Sequence, residues 1–225
     1  MSGKLKNFIG DLKTYGLDHI FRVISWRLPR WLFYYDRSIH HKLGQVPIAD
    51  ISRAGYEIRV AKLEDYPLMN PMAIGEDIFK MRLERGDTCV IAVRDNLVAA
   101  MAWGASGNLF IKNTGAVLDT GADGFYIYNA YTLVEDRRRG LYTALHDLLR
   151  QHYHANNKTN EFNSIDVYNQ HSYQLHMKLG YKKIGITVYF CLFGINFCFY
   201  SDWLTGKKSR TDIFIRKSPE IYEYV

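Results

Sequence analysis

A strand, a cationic turn and an amphipathic helix follow one another in the middle of the chain and constrain the fold more than any other stretch. Residues 125–133 read as a strand, and residues 141–152 place apolar side chains along one helical face. Residues 162–167 predict another strand after that helix. A strand, a helix and a strand in this order predict a crossover within a mixed α/β sheet.

The segments on either side complete a sheet with helices on its faces, an α/β (α+β) class. From residue 56 the sequence predicts the order β-α-α-β-β-β-α-β-α-β-β. The predicted strands are 56–60, 88–94, 97–104, 125–133 and 162–167, with a final hairpin at 182–203. Helical segments are predicted from Leu63, at 76–84, at 141–152 and at 172–179, and a loop or small extra hairpin at 105–123.

Positive charge is concentrated at the start of the chain. Residues 1–43 hold eight Lys and Arg against three Asp, whereas cations and anions nearly balance in the rest of a chain whose net charge is +6. This distribution does not indicate a nucleic-acid-binding body. We therefore predict two parts, a basic, aromatic-rich helical extension at 1–50 and a body at 51–225, joined by a linker at 44–55.

The extension admits two interpretations. Its apolar and cationic residues at helical spacing suit an anionic bilayer surface or an acidic partner. We favour the alternative, a helical appendage packed over a ligand site of the body or across a homodimer contact. The uncharged stretch 184–201 is broken by a turn at Gly194 and predicts two strands, so the expected location is cytoplasmic, with membrane association as the alternative. Three cysteines without metal-ligand spacing predict no metal site.

The turn between the central strand and helix has the composition of an anion site. Arg137, Arg138, Arg139 and Gly140 precede a helix that begins at Leu141. Unpaired amides and the positive end of the dipole meet at a helix N-terminus, and glycine lets the backbone approach a phosphate closely. A basic helix start that only caps and solubilises is the plain alternative.

Two spaced motifs resemble the acyl-CoA signatures of the GNAT superfamily. The first is Arg137-x-x-Gly140-x-Tyr142, in which Tyr142 replaces the family's small residue and must point away from the ligand. The second follows the next strand, with Asn169, Ser172 and the close Lys178-Leu179-Gly180-Tyr181. The resemblance covers residues 56–203 and leaves residues 1–50 outside.

The resemblance implies a fold and a cofactor site. It implies a central, mixed, mostly antiparallel sheet that splays between its fourth and fifth strands, and acetyl-CoA or another acyl-CoA as co-substrate with no metal. The implied cofactor-binding residues are Thr132, Leu133, Val134, Arg137, Arg138, Arg139, Gly140, Leu141, Tyr142, Thr143, Asn169 and Ser172.

The resemblance implies a candidate for the general acid but leaves the general base open. His176 occupies the helix position where relatives carry a general acid, and a histidine can protonate a thiolate near neutral pH. Tyr131 could hold the water that accepts the amine proton, as could Tyr128 or Asn129. Glu76 and Asp77 on the early helices are further candidates, and the general base stays open.

Three functions follow from the resemblance. The leading hypothesis is transfer of an acetyl group from acetyl-CoA to a primary amine of a small molecule, by direct attack in a ternary complex. The second is transfer of a longer acyl chain from acyl-CoA or an acyl carrier protein. The third is a CoA-binding module without catalysis, because the strand at 125–133 carries no carboxylate.

Overall fold

Helices and strands alternate along the chain largely as the sequence predicts. The computed structural model describes residues 10, 12–44, 46–111, 116–202 and 210–215. The α-helices are α1 (Leu17–Ser25), α2 (Glu76–Glu84), α3 (Leu141–His154) and α4 (Gln170–Lys178), with 3-10 segments at Leu63–Met72 and Val134–Asp136. The strands are β1 (Phe33–Leu43), β2 (Glu57–Val60), β3 (Thr88–Arg94), β4 (Leu97–Ala105), β5 (Asn108–Ile111), β6 (Ala116–Asp119), β7 (Gly124–Thr132), β8 (Asn160–Asp166), β9 (Lys182–Leu192), β10 (Ile195–Asp202) and β11 (Arg210–Ile215).

Contacts between Cα atoms divide the chain into two compact units. The first comprises Met1–His41, Phe110–Val117 and Ser164–Tyr224, and the second comprises Lys42–Leu109 and Leu118–Asn163. Strands β1 and β8 each contribute residues to both. The separation of residues 1–50 from residues 51–225 as domains stays a prediction.

The second unit carries the strand order β8-β7-β4-β3-β2. Strands β2, β3, β4 and β7 pair antiparallel, whereas β7 pairs parallel with β8. That parallel pairing joins residues 124–126 to residues 160–162, although β7 runs on to Thr132. The mixed, mostly antiparallel sheet is thereby confirmed, and the splay between the fourth and fifth strands stays a prediction.

Helix α3 covers one face of this sheet, as its apolar stripe predicts. The Phe125 and Tyr153 rings stack with centroids 4.5 Å apart, and Leu141, Leu145 and Leu149 belong to the same buried core. The helix can approach β4 because residue 104 is glycine. A Cβ at this position would lie 2.5 Å from the Tyr153 ring.

The first unit carries the strand order β11-β10-β9-β1-β8. Its strand β1 corrects the prediction, which assigned residues 33–43 to a helical extension. Helical spacing ends at α1, and the following run of aromatic residues suits a pleated sheet surface. The amides of Phe193 and Gly194 donate to the carbonyls of Leu32 and Trp31 at 3.1 and 2.6 Å, so β1 runs antiparallel to β9.

Helix α1 is tied to the strands of its own unit by polar contacts. Arg22 pairs with Asp166 at 2.5 Å, and Asp18 accepts hydrogen bonds from Tyr35 and Arg37. The cations of the extension therefore serve in part as internal partners. Residues 1–9 and 11 of the predicted extension lie outside the described residues.

The elements predicted between residues 56 and 203 agree with the structure in position and differ in one detail, whereas β11 (Arg210–Ile215) was not predicted. The segment at Leu63–Met72 is a 3-10 helix, because Pro67 and Pro71 remove backbone donors from the α-helical ladder. The hairpin turn between β3 and β4 uses Asp95 and Asn96, both with positive φ, as predicted from their turn chemistry. No helix in the described part of the chain is long and apolar enough to cross a membrane.

Candidate functional site

Strand β7 contains a bulge three residues before its end. Tyr128 pairs with Trp103 and Tyr131 pairs with Met101, so β7 holds one residue more than β4 across this interval. Asn129 adopts a φ of +47° at the bulge. A bulge re-aims the backbone and side chains that follow it. Beyond this point the strand is accessible, and Tyr131 is 43% exposed.

The turn after β7 is held at its base by a buried carboxylate. The Leu133 amide donates to the Ala99 carbonyl at 2.9 Å and keeps the start of the turn on β4. Asp136 is fully buried, accepts a hydrogen bond from the Tyr56 hydroxyl and pairs with Arg94 at 2.6 Å. Because Asp136 already pairs with Arg94, its carboxylate does not neutralise the arginines that follow it in the sequence.

The arginines themselves face outward. Arg137, Arg138 and Arg139 are exposed, and Arg137 Nε donates to the Thr132 carbonyl at 3.3 Å. Arg138 and Gly140 have φ values of +64° and +73°, in the left-handed region. Successive backbone amides in such a turn can form a concave surface that suits an anion.

Helix α3 begins at this turn without its usual anionic partners. Its first backbone bond runs from the Ala144 amide to the Gly140 carbonyl at 3.1 Å. Gly140 supplies no side-chain cap, and the first turn contains no acidic residue among those described. The positive end of the helix dipole therefore points at a surface lined by cations, which is an arrangement that an added anion stabilises.

A fourth arginine joins the turn from a distant part of the sequence. A Cβ on Gly140 would lie 2.9 Å from Arg53 Nε, so the guanidinium packs directly against the glycine. Arg53 also donates to the carbonyl of Asp50 at 2.8 Å. Sequence analysis missed Arg53, because it stands in a segment without periodicity or motif that was interpreted as a linker.

Comparisons with known proteins address this strand, turn and helix. No protein-family model and no curated protein matches the sequence. A solved GNAT-family protein from Novosphingobium aromaticivorans aligns with 69% of this chain at 16% identity and a TM-score of 0.51. A tandem GNAT protein from the clavulanic acid biosynthesis pathway aligns with 69% at 17% identity and the same TM-score. The chain has the GNAT fold. It spans 63% and 52% of the lengths of those two proteins, less than two thirds of either.

The departure at Tyr142 has a structural explanation in this fold. The Tyr142 ring lies 4.1 Å from the His146 ring, one helical turn further on. Burial, followed by the charge of Glu161, raises the pKa of Tyr142, so its hydroxyl stays protonated. The side chain runs along the helix and leaves the backbone of the first turn to face the arginines.

A buried polar network lies behind this tyrosine, and sequence analysis missed it. His146 Nδ1 contacts Glu161 at 3.1 Å, and Arg150 bridges Glu161 and Asp147 at 2.9 Å each. All four side chains are at most 4% exposed. The polar residues 146, 147 and 150 interrupt the apolar periodicity of α3, which was the only available signal.

The second signature forms a capped helix in the first unit. Asn169 is the N-cap of α4, and its side chain accepts a hydrogen bond from the Ser172 amide at 3.1 Å. Asn169 is exposed and Ser172 is half-buried. The turn at residues 137–140 and Tyr131, by contrast, belong to the second unit.

His176 is only 2% exposed in the first unit. Its Nδ1 donates to the Ser172 carbonyl at 2.6 Å, because a carbonyl oxygen can only accept. Its ring packs on Tyr181 at 4.7 Å and on His41 at 6.2 Å. The predicted role of His176 as a general acid stays a prediction.

The other candidates for the base differ in accessibility. The Tyr128 hydroxyl donates to Asp87 and accepts from Arg85 at 3.2 Å, and burial with the Asp87 charge raises the pKa of Tyr128. Glu76 and Asp77 are exposed on α2. Within the described ranges, no group of three or more His, Cys, Asp and Glu side chains could hold a metal ion.

Proposed function

We propose that this chain is an N-acyltransferase that takes an acetyl group from acetyl-CoA and transfers it to a primary amine of a small molecule. The observation that supports this most is the N-terminus of α3, which has neither a side-chain cap nor an acid in its first turn and lies among Arg53, Arg137, Arg138 and Arg139. Its place after a bulged strand in a GNAT fold favours an acyl-CoA ligand over any other phosphate ester.

The residues of the turn fit the diphosphate of coenzyme A. Amides at a helix N-terminus and in a left-handed turn donate to phosphate oxygens, and arginine forks add charge-assisted hydrogen bonds. The Cβ-free surface at Gly140 brings Arg53 against the backbone, which adds a fourth cation to the cradle. We propose Arg53 as a diphosphate ligand beside Arg138 and Arg139.

The same strand would serve the reacting end. Bound acetyl-CoA supplies a thioester carbonyl activated toward amines. We propose that the amides after the Asn129 bulge stabilise the oxygen of that carbonyl as charge develops on it, and that exposed Tyr131 holds the water that receives the amine proton. We propose His176 as the general acid; because its Nδ1 donates to the Ser172 carbonyl, Nε2 can give a proton to the departing thiolate only from the imidazolium form.

A turnover panel tests the proposal. The full chain is assayed by release of free CoA thiol from acetyl-CoA and from longer acyl-CoA donors, with amino sugars, polyamines and amino acids as acceptors. We expect turnover with acetyl-CoA and at least one acceptor, reduced about 100-fold in His176→Asn if His176 is the general acid. A preference for a long-chain donor would show that the transferred group is a longer acyl chain and not acetyl. Binding of CoA without turnover on any acceptor would contradict catalysis and leave a binding module.

A further inference from the structure

A cavity of about 760 Å³ lies in the first unit, apart from the residues assigned to CoA. Its walls are one face of strands β1 and β9, one residue of β10 and one side of helix α1. Seven of its ten lining residues are Phe, Ile, Val or Leu, and the other three are Asp18, Tyr35 and Arg37. A volume of this size falls within the range of small-molecule sites, roughly 300–1,000 Å³.

The cavity wall on β9 is apolar although it is the less buried face of that strand. Ile186, Val188 and Phe190 alternate with Thr187 and Tyr189 along β9, and only the latter pair is buried. Apolar side chains that are not covered by protein on a concave face indicate a ligand. At the rim, Phe21, Leu192 and Phe199 are between 38 and 41% exposed.

The cavity is elongated, with its polar groups toward one end. Because β1 runs antiparallel to β9 with Leu32 beside Phe193, Phe33 lies near Leu192 and Arg37 lies toward Ile186. The lining residues of β9 run from Ile186 to Leu192, about 20 Å at the rise of a strand. One end is thus purely apolar, and the other holds Arg37 with its partner Asp18.

The polar end holds an ion pair whose arginine also lines the cavity. Asp18 accepts hydrogen bonds from Tyr35 and from an Arg37 terminal nitrogen, and burial, followed by the hydrogen bond to Asp18, raises the pKa of Tyr35, so the hydroxyl remains a donor. The Arg37 side chain lines the cavity and is 35% exposed, so its guanidinium can donate a charge-assisted hydrogen bond to a ligand oxygen at this end.

We propose that this cavity binds a fatty acyl chain, with the alkyl tail along β9 toward Leu192 and a carbonyl or carboxylate oxygen at Arg37. Length, apolar walls and a single polar end together select an unbranched chain with one acceptor head group. The site is independent of the acyltransferase proposal, because none of its lining residues is among those assigned to CoA binding or to catalysis.

Binding is tested by calorimetric titration of the full chain with dodecanoate and hexadecanoate, with hexadecanoyl-glycerol as the uncharged head group. We expect saturable 1:1 binding below the micelle concentration, tighter for the longer chain. Equal affinity of the acid and the glycerol ester would assign the interaction to the chain and an acceptor carbonyl, whereas a preference for the acid would assign it to a carboxylate. No saturable binding of any of the three would overturn the proposal.

Variants locate the site. Val188→Trp fills the cavity at its centre and should weaken hexadecanoate binding at least tenfold, whereas Leu97→Trp, at an exposed apolar residue of the second unit, should not. Phe199→Trp, at the partly exposed rim, gives a second filling variant if Val188→Trp fails to fold. Hexadecanoate with a diazirine at its tail should label peptides around Leu192. Wild-type affinity in a folded filling variant, or labelling confined to the second unit, would contradict the assignment.

Discussion

At the scale of single residues, the candidate site depends on a close contact between Gly140 and Arg53. Gly140 has the φ of a left-handed residue, and its missing Cβ is the space that the Arg53 guanidinium occupies. The left-handed φ favours glycine at this position, and so does the close approach of Arg53 to the backbone. The residue is therefore required for the geometry of the cation cluster as well as for the turn.

Gly140→Ala should weaken CoA binding at least tenfold, because the new methyl would displace Arg53. It should also lower the free energy of unfolding by about 1–2 kcal/mol through the left-handed φ. Calorimetric titration with CoA and urea unfolding measure the two effects separately. Gly75→Ala is the matched control, since Gly75 is also a helix N-cap but has a φ of −70° and no described neighbour within 4 Å of a new Cβ. Wild-type affinity in Gly140→Ala would contradict the role of this contact.

At the scale of elements, strand β1 brings two adjacent histidines into the first unit. His40 bonds to Ser164 and Thr187, whereas His41 is fully buried and its ring packs against the rings of Tyr173 and His176. Burial lowers the pKa of both histidines to about 4. For His40, the charge of neighbouring His41 is the second cause of the lowered pKa. Both rings are therefore neutral in the folded chain near pH 7.

These histidines should make the fold sensitive to acid. The unfolded chain takes up their protons near pH 6.5 and the folded chain only near pH 4, so the free energy of unfolding should fall as pH drops through this interval. For His41 the loss should reach roughly 2–3 kcal/mol. Urea unfolding between pH 7.5 and 4.5 measures the slope.

His41→Phe should flatten that slope in part, because it removes one proton acceptor and fills the same apolar site. Tyr173→Phe is the control, since its ring packs on His41 with centroids 5.7 Å apart and the change removes only a hydroxyl. The control should keep the wild-type slope. A slope that is identical in wild type and in His41→Phe would show that His41 does not titrate in this range.

At the scale of the whole molecule, the sequence predicts the body of the fold because the signals there are local. The hairpin at Asp95 and Asn96, the helix from Leu141 and the final hairpin around Gly194 each combine the right periodicity with turn residues at the right places. Strand β1 was not predicted for two reasons. Residues 30–43 contain no proline or glycine that would mark the start or end of a strand, and the strands that pair with β1 lie more than 100 residues away in the sequence.

The candidate site was predictable only where its residues are contiguous. The three arginines and Gly140 follow a strand and precede a helix, which is sufficient to predict an anion site. Arg53, the anchoring pair of Tyr56 with Asp136, and the network around Glu161 depend on contacts between distant segments. No periodicity in the sequence reports such contacts, so they become visible only in three dimensions.

The central claim, that the turn at the start of α3 binds the diphosphate of coenzyme A, is tested most directly by titrating the full chain with CoA in a calorimeter. Wild-type protein should bind, Arg53→Ala should bind about tenfold more weakly because a charge-assisted hydrogen bond is lost, and Lys80→Ala, which removes the same charge from exposed α2, should bind like wild type. An absence of CoA binding by the wild type, or equal affinities of Arg53→Ala and the wild type, would contradict the account.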